Sequence, residues 1–158
     1  LSSEDTKKLN LIMYSLRDYE RIADLAQNTV IKMQNIYATK EKITNEAVGE
    51  MAKMLEVCYL AVKDTINMFL QRDLKFGASV NEKEEYIDKL ERKAIKNHMN
   101  RTREGKCVGS AAVIYVDIIS DIERIGDHAV NIVEHYTYKD LVLTPEEEDL
   151  DLSKFIIE

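Results

Sequence analysis

Residues 121–131, which read DIERIGDHAVN, decide the fold because the chain contains the same pattern twice. Residues 18–28 read DYERIADLAQN and match that stretch at seven of eleven positions. The two copies lie 103 residues apart, which leaves room for a complete supersecondary unit between them. The sequence therefore predicts an internal repeat, and this stretch marks the equivalent element of each copy.

Each copy carries a glutamate followed four residues later by an aspartate, namely Glu20 and Asp24, then Glu123 and Asp127. On a helix this spacing places both carboxylates on one face, about 6 Å apart at Cβ, where like charges repel unless something compensates. One interpretation is a solvated face on which Asp18–Arg21 and Asp121–Arg124 form surface ion pairs. The other interpretation is that both pairs of acids bind cations.

The composition indicates one all-helical domain. The chain has 158 residues, of which 45% are apolar, and it contains one proline and five glycines, fewer turn residues than a sheet protein needs. A net charge of −7 argues against a nucleic-acid surface. The sequence contains no run of eighteen apolar residues, so no membrane-spanning helix is expected. Cys58 and Cys107 lack metal-type spacing and are expected to be buried free thiols in a reducing compartment.

Four long helices are expected. The first runs from an N-cap within Ser2–Asp5 to about Tyr37, and the second covers roughly 44–73. Gly77 is expected to lie in a left-handed turn after the second helix, with a capping box at Ser79–Glu82 that starts the third helix. The third helix then runs to about Arg103, and the fourth begins near 106 or 109 and ends near 138.

The apolar periodicity predicts which faces are buried. In the first helix it marks a stripe of apolar residues: Leu9, Ile12, Leu16, Tyr19, Ala23, Ala26, Val30 and Met33. The stripe of the second helix contains no carboxylate, so that helix is expected to be purely structural. The third helix places Glu84, Asp88 and Glu91 inside its core-facing arc, where an unpaired carboxylate is costly. The fourth helix is expected to be the most buried, with Gly126 allowing another helix to approach closely.

Short connections between these helices predict an antiparallel four-helix bundle. Such a bundle can bring the acids of the first, third and fourth helices to a common side, where carboxylate ligands favour Mg²⁺, Mn²⁺ or iron. An oxygen-activating di-iron bundle requires two Glu-x-x-His motifs, and none of the three histidines has a glutamate three positions before it. A structural dimerisation module stays open, and a metal-dependent hydrolase lacks an obvious catalytic base.

The phrase DIERIGDHAVNIVEH at 121–135 resembles the signature of the PhoU family, whose repeats carry an (E/D)-x-x-x-D motif. The resemblance implies two repeats of three helices. Residues 44–138 correspond to one complete repeat, and residues 1–38 correspond to the motif helix of a partial first repeat. Residues 139–158 are expected to be an acidic tail with a short helix that starts at Thr144, the N-cap, and Pro145, the first helical residue.

The resemblance also implies a function. It implies a non-catalytic regulator of phosphate uptake that binds divalent or trivalent metal ions (Fe, Zn, Mn or Mg) in a multinuclear cluster. Seven acids are expected to hold them: Glu20, Asp24, Glu84, Asp88, Glu91, Glu123 and Asp127. PhoU-like domains also form the cytosolic C-terminal part of some sodium/phosphate cotransporters, so the resemblance implies such a domain at the inner face of the cell membrane. The leucine at the start of the chain and the absence of a predicted membrane-spanning segment fit this expectation. The partner is then the transporter portion, and a homodimer is expected. A stand-alone PhoU phosphate-signalling regulator is the alternative.

Overall fold

The computed structural model describes residues 2–137, which form four helices joined by short connections: α1 Ser3–Ala38, α2 Asn45–Gln71, α3 Lys75–Arg103 and α4 Gly109–Thr137. The all-α prediction is confirmed. The acidic tail at 139–158 and the helix expected there lie outside the described residues. None of the described helices combines the length and apolarity needed to cross a membrane.

Helix α4 is the centre of the fold, as its composition predicted. It packs against α1 on one side and against the α2–α3 hairpin on the other. Its buried residues include Tyr115, Ile118, Ile122 and Ala129, which join residues of the other three helices in the main apolar core. Burial of such side chains stabilises the fold by about 1.5–3 kcal/mol for each large one.

The helix ends are set by local hydrogen bonds. Ser2 caps α1 through a capping box in which its hydroxyl accepts from the Asp5 backbone N–H at 3.0 Å, and this satisfies a donor that the helix leaves free. The α3–α4 turn contains Gly105 and Gly109 with positive φ angles of 69° and 70°. Glu41, from the α1–α2 loop, accepts the backbone N–H of Ala111 at 2.8 Å and so ties this loop to the start of α4.

The start of α3 differs from the expectation. The helix begins at Lys75, and Gly77 is a buried helical residue inside it; the left-handed residue after α2 is Arg72, with φ 52°. A Cβ atom on Gly77 would lie 3.0 Å from Val133 Cγ1 and 3.4 Å from Met68 Sδ. Gly77 is therefore needed for close packing of α3 on α2 and α4, and the predicted capping box at Ser79 is wrong.

The buried face of α1 also differs from the predicted stripe. Leu16 and Val30 are 57% and 54% exposed, whereas Leu11, Ile22 and Leu25 are buried against α4. The predicted stripe corresponds, through the internal repeat, to the face that α4 buries against α2 and α3. Helix α1 does not pack closely on α3 in the described residues, and it meets α2 through side chains, as in the 2.9 Å hydrogen bond between the Tyr19 and Thr65 hydroxyls. Most of this face therefore stays exposed.

Candidate functional site

The predicted acids of α3 and α4 are brought together on one side of the hairpin. A Cβ atom on Gly126 would lie 3.1 Å from Ile87 Cδ1 and 3.9 Å from Glu84 Cγ, so the glycine permits the close approach of α3 that the sequence predicted. This approach sets the α3 acids against Glu123 and Asp127, one turn apart on α4. We call the five residues the acidic cluster: Glu84, Asp88, Glu91, Glu123 and Asp127.

Burial and the neighbouring negative charges both raise pKa values within the acidic cluster. Partial burial, followed by the charges of Asp127 and Glu91, raises the pKa of Glu123 to about 7. The pKa of Glu84 and that of Glu91 are also raised, first by burial and then by the charges of Asp88 and Asp127. The interaction is mutual across the two helices, because acids on α3 and acids on α4 shift one another.

The cluster lies at the border of the core and not inside it. Glu84, Asp88, Glu91 and Glu123 are half-buried, and Asp127 is exposed. This corrects the expectation that the three α3 acids lie within a fully buried arc. A half-buried position keeps the desolvation cost moderate and leaves the carboxylates open to ions from solution.

The donor chemistry of the acidic cluster fits hard or borderline cations, which carboxylate oxygens prefer. Carboxylates gathered this closely on two neighbouring helices would gain from an added positive charge. Within residues 2–137, however, no three histidine, cysteine, aspartate or glutamate side chains already stand in the arrangement of a metal site. Ligation would therefore require rotamer changes among these half-buried carboxylates.

The other two predicted acids are placed elsewhere. Glu20 and Asp24 are exposed on α1, and α1 packs on α4 without contacting α3. Neither residue is among the groups that shift the pKa values of the acidic cluster. The structure thus brings together five of the seven predicted acids and leaves the first copy of the motif separate from them.

The first residue of each repeat copy has a role that the sequence did not reveal. Asp18 is buried between α1 and α4, with Oδ1 2.9 Å from His128 Nδ1 and Oδ2 2.8 Å from His135 Nε2. Asp121 is also buried and accepts a hydrogen bond from Lys32. The surface ion pairs that one interpretation predicted for Asp18 and Asp121 are not formed, because both carboxylates face the opposite helix.

These two contacts are related by the internal repeat. Adding the 103-residue offset to Asp18 gives Asp121, and adding it to Lys32 gives His135. Asp18 binds His135 and Asp121 binds Lys32, so the pairing of α1 with α4 is approximately two-fold symmetric. The repeat can be read from the sequence, but only the tertiary structure shows that its equivalent residues join α1 to α4.

A second polar network, also unpredicted, joins α2 to α3 and α4. Glu50 accepts hydrogen bonds from Arg101 Nη1 and Nη2 at 3.2 and 2.8 Å, from Asn97 Nδ2 at 2.7 Å, and from the Tyr115 hydroxyl. These donors hold the pKa of Glu50 below its usual value despite partial burial, which opposes them. The expectation that α2 is purely structural missed this residue, which lies outside the apolar stripe.

Both cysteines are buried and free, as expected. Burial raises the pKa of Cys58 to about 12, and its Sγ lies 3.2 Å from the backbone oxygen of Ile122. A thiol held in this protonated form is inert as a nucleophile.

Comparison with known proteins identifies the family. The model of the PhoU domain matches residues 51–135, which include α3, the motif stretch of α4 and most of α2. The chain is 32% identical over 135 residues to a phosphate-specific transport system accessory protein PhoU homolog 1 from Thermotoga maritima, and the match covers 84% of this chain and 57% of that protein.

Two further relatives carry the name phosphate-specific transport system accessory protein PhoU homolog. The one from Rhizobium meliloti is 26% identical over 133 residues, covering 82% of this chain and 55% of the relative. The one from Clostridium acetobutylicum is 22% identical over 149 residues, covering 94% of this chain and 65% of the relative. This chain thus spans a little over half the length of the first two relatives, and no solved structure matches it. On the evidence of the family match and the Thermotoga relative, the chain belongs to the PhoU domain family.

Proposed function

We propose that this chain is a non-catalytic regulatory domain that modulates phosphate uptake as an accessory protein of a phosphate transporter. Family membership supports this proposal, and so do the names of the relatives, which describe accessory proteins of a phosphate-specific transport system. These names favour the stand-alone accessory regulator over the cytosolic domain of a sodium/phosphate cotransporter. In either arrangement the domain acts at the cytoplasmic side of the membrane, and its partner is the transporter.

The acidic cluster is the proposed regulatory site, and it binds one or more divalent or trivalent metal ions. The observation that carries this proposal is the convergence of five carboxylates where Gly126 lets α3 approach α4 closely. The pKa values of Glu84, Glu91 and Glu123, which are raised first by burial and then by repulsion from the neighbouring acids, support it. A bound cation relieves this repulsion and draws α3 and α4 together. Iron, zinc, manganese and magnesium all suit carboxylate ligands.

The first copy of the motif is proposed to form an equivalent half-site. Glu20 and Asp24 lie beside the exposed apolar face of α1, and their counterparts Glu123 and Asp127 lie beside the face that α4 buries against α3. A helical segment that covered α1 as α3 covers α4 would complete the half-site. In residues 2–137 the α1 acids lack that second set of carboxylates, so they are expected to bind metal weakly.

The internal repeat provides a matched test of the metal site. The purified 158-residue chain is incubated in turn with Fe²⁺, Mn²⁺, Zn²⁺ and Mg²⁺, dialysed, and its metal content measured by elemental analysis. The double variant Glu123→Gln/Asp127→Asn is expected to lose the bound metal, whereas the equivalent variant Glu20→Gln/Asp24→Asn retains it. Equal metal loss in both variants, or no retained metal in the wild type, would refute the placement of the site.

The regulatory role is tested in cells. A bacterium lacking its own PhoU protein is complemented with the chain, and phosphate uptake and phosphate-starvation gene expression are followed. The wild type is expected to restore regulation, and the Glu123→Gln/Asp127→Asn variant to restore it less well at equal protein abundance. If the wild type changes neither readout while folding normally, the regulatory assignment fails independently of the metal result.

A further inference from the structure

A polar cavity of about 740 Å³ opens between α2 and α3, on the opposite edge of α3 from the acidic cluster. Its size lies within the range of about 300–1,000 Å³ that small-molecule sites occupy. The residues that matter for recognition come from both helices: Glu50, Lys53, Tyr86, Lys93, Asn97 and Arg101. Neither the family match nor the acidic cluster accounts for this cavity.

The Glu50–Arg101 network gives the cavity a rigid base. The Arg101 side chain is only 5% exposed and is held to Glu50 by two of its nitrogens. The guanidinium also lies 5.3 Å from the ring centroid of Tyr115. Side chains restrained in this way lose little further conformational freedom when a ligand binds, so the base is organised in advance.

Arg101 also carries an unused donor. Its Nε is buried and has no acceptor in the structure, although the side chain lines the cavity. Native proteins contain few unpaired buried donors, because an unmade buried hydrogen bond is costly. Because this nitrogen is almost fully covered by protein atoms, a ligand oxygen would reach it only after the side chains around it move.

The walls of the cavity add positive charge. Four basic and three acidic residues line it: Lys53, Lys93, Arg101 and Lys106, with Glu46, Glu50 and Glu104. Arg101 neutralises Glu50, and Lys106 pairs with Glu104 at 2.6 Å. The lining residues therefore carry a net charge of +1 in a chain of net charge −7, and Lys53 also pairs with Glu56, which does not line the cavity.

Lys53 and Lys93 are both available to a ligand. Lys93 is exposed, and the pair that Lys53 forms with Glu56 at 2.8 Å is exposed on both sides, so solvent screens the pair and a ligand can compete for the lysine. Tyr86 and Leu90 supply an aromatic ring and an apolar side chain farther along the groove. The cavity thus combines two lysines, a buried guanidinium donor, amide groups and an aromatic ring.

We propose that the cavity between α2 and α3 binds a small phosphorylated metabolite of nucleotide size, with its phosphate between Lys53 and Lys93 and its body against Tyr86. Lysine ammonium groups hold phosphate by charge, and aromatic rings stack on planar groups. The site uses none of the acidic cluster. It neither requires bound metal nor depends on the regulatory role proposed above.

The test is isothermal titration calorimetry of the 158-residue chain with AMP as the probe, in a buffer containing EDTA so that no metal bridges phosphate to the acidic cluster. Adenosine, which lacks the phosphate, is titrated in parallel. The site variant is Lys53→Ala/Lys93→Ala, and the control is Lys89→Ala/Lys96→Ala, which removes two exposed lysines of α3 that do not line the cavity. Both variants are checked by circular dichroism.

The expected result is saturable binding of AMP at one site per chain, with adenosine bound at least about tenfold more weakly, equivalent to about 1.4 kcal/mol. The site variant loses at least about tenfold in affinity, by the same conversion, while the control binds AMP as the wild type does. Absence of saturable AMP binding overturns the proposal. Equal weakening by the two double variants, or equal affinity for AMP and adenosine, also overturns it.

Discussion

Replacing Glu123 by glutamine is expected to stabilise the metal-free protein at pH 8. Its pKa is raised from 4.5 to about 7 by burial and by Asp127 and Glu91, so the ionised form is disfavoured in the folded state. At 1.36 kcal/mol per pKa unit, that shift corresponds to at most about 3.4 kcal/mol. Solvent reaches this half-buried group and screens the charges, so about 1–2 kcal/mol is the expected gain.

The direction of the pH dependence follows from proton binding. Because the folded state holds the Glu123 proton more tightly than the unfolded state does, stability falls as the pH rises from about 4.5 to about 7. Glutamine removes this dependence. Urea unfolding of both proteins in EDTA is therefore expected to show the free energies of unfolding converging at pH 4.5 and separating by about 1–2 kcal/mol at pH 8.

The control is Glu20→Gln at the equivalent position of the other repeat copy. That side chain is exposed, so its replacement is expected to change stability by less than about 0.5 kcal/mol at either pH. Adding a cation that binds the acidic cluster is expected to reverse the order, because ligand binding stabilises only the protein that retains its carboxylate. A Glu123→Gln protein that is no more stable than the wild type at pH 8 in EDTA would refute the repulsion argument.

Further substitutions test packing and the buried networks by chemical denaturation. Arg101→Ala is expected to destabilise the chain by about 3 kcal/mol, because the partly buried carboxylate of Glu50 loses its ion-pair partner and keeps only the hydrogen bonds from Asn97 and Tyr115; a loss below about 1 kcal/mol would contradict this. Gly77→Ala is expected to lower the free energy of unfolding by about 1–2 kcal/mol, because the new methyl group would crowd the side chains of Val133 and Met68. The control Gly49→Ala, with open space around it, is expected to raise that free energy by up to about 1 kcal/mol. Equal effects of the two substitutions would show that α3 does not pack tightly at Gly77. Asp18→Asn is expected to lose about 1–3 kcal/mol by weakening the α1–α4 contact, and a neutral result would show that the contact contributes little.

Much of the fold was accessible from local patterns. The N-cap within Ser2–Asp5 and the apolar composition of α4 both act within a few residues, and each predicted its element. The start of α3 was not accessible in this way. Gly77 has the local character of a helix end, yet it is a buried residue of α3 at a position where a Cβ atom would crowd Val133 and Met68 of two other helices.

The acidic cluster was partly predictable for the same reason. Helical spacing placed Glu123 beside Asp127, and the short α3–α4 connection required the acids of α3 to lie nearby. Spacing alone could not show that Glu20 and Asp24 lie apart from them. That separation follows from α1 packing on α4 and not on α3, which no local signal in α1 reveals.

The chain's own sequence thus specified its helices, its repeat and the side of the hairpin on which the acids gather, since these follow from hydrophobic period and spacing. Tertiary packing determined which face of α1 is buried. Two faces of this helix carry apolar residues, and the periodicity predicted the face of Leu16 and Val30, whereas the face of Leu11 and Ile22 is the buried one. Packing also joined Asp18 to His135, 117 positions away, and Glu50 to Arg101, 51 positions away. Such pairings depend on which helices become neighbours, because a side chain's partner across an interface is set by the three-dimensional arrangement and not by its separation along the chain.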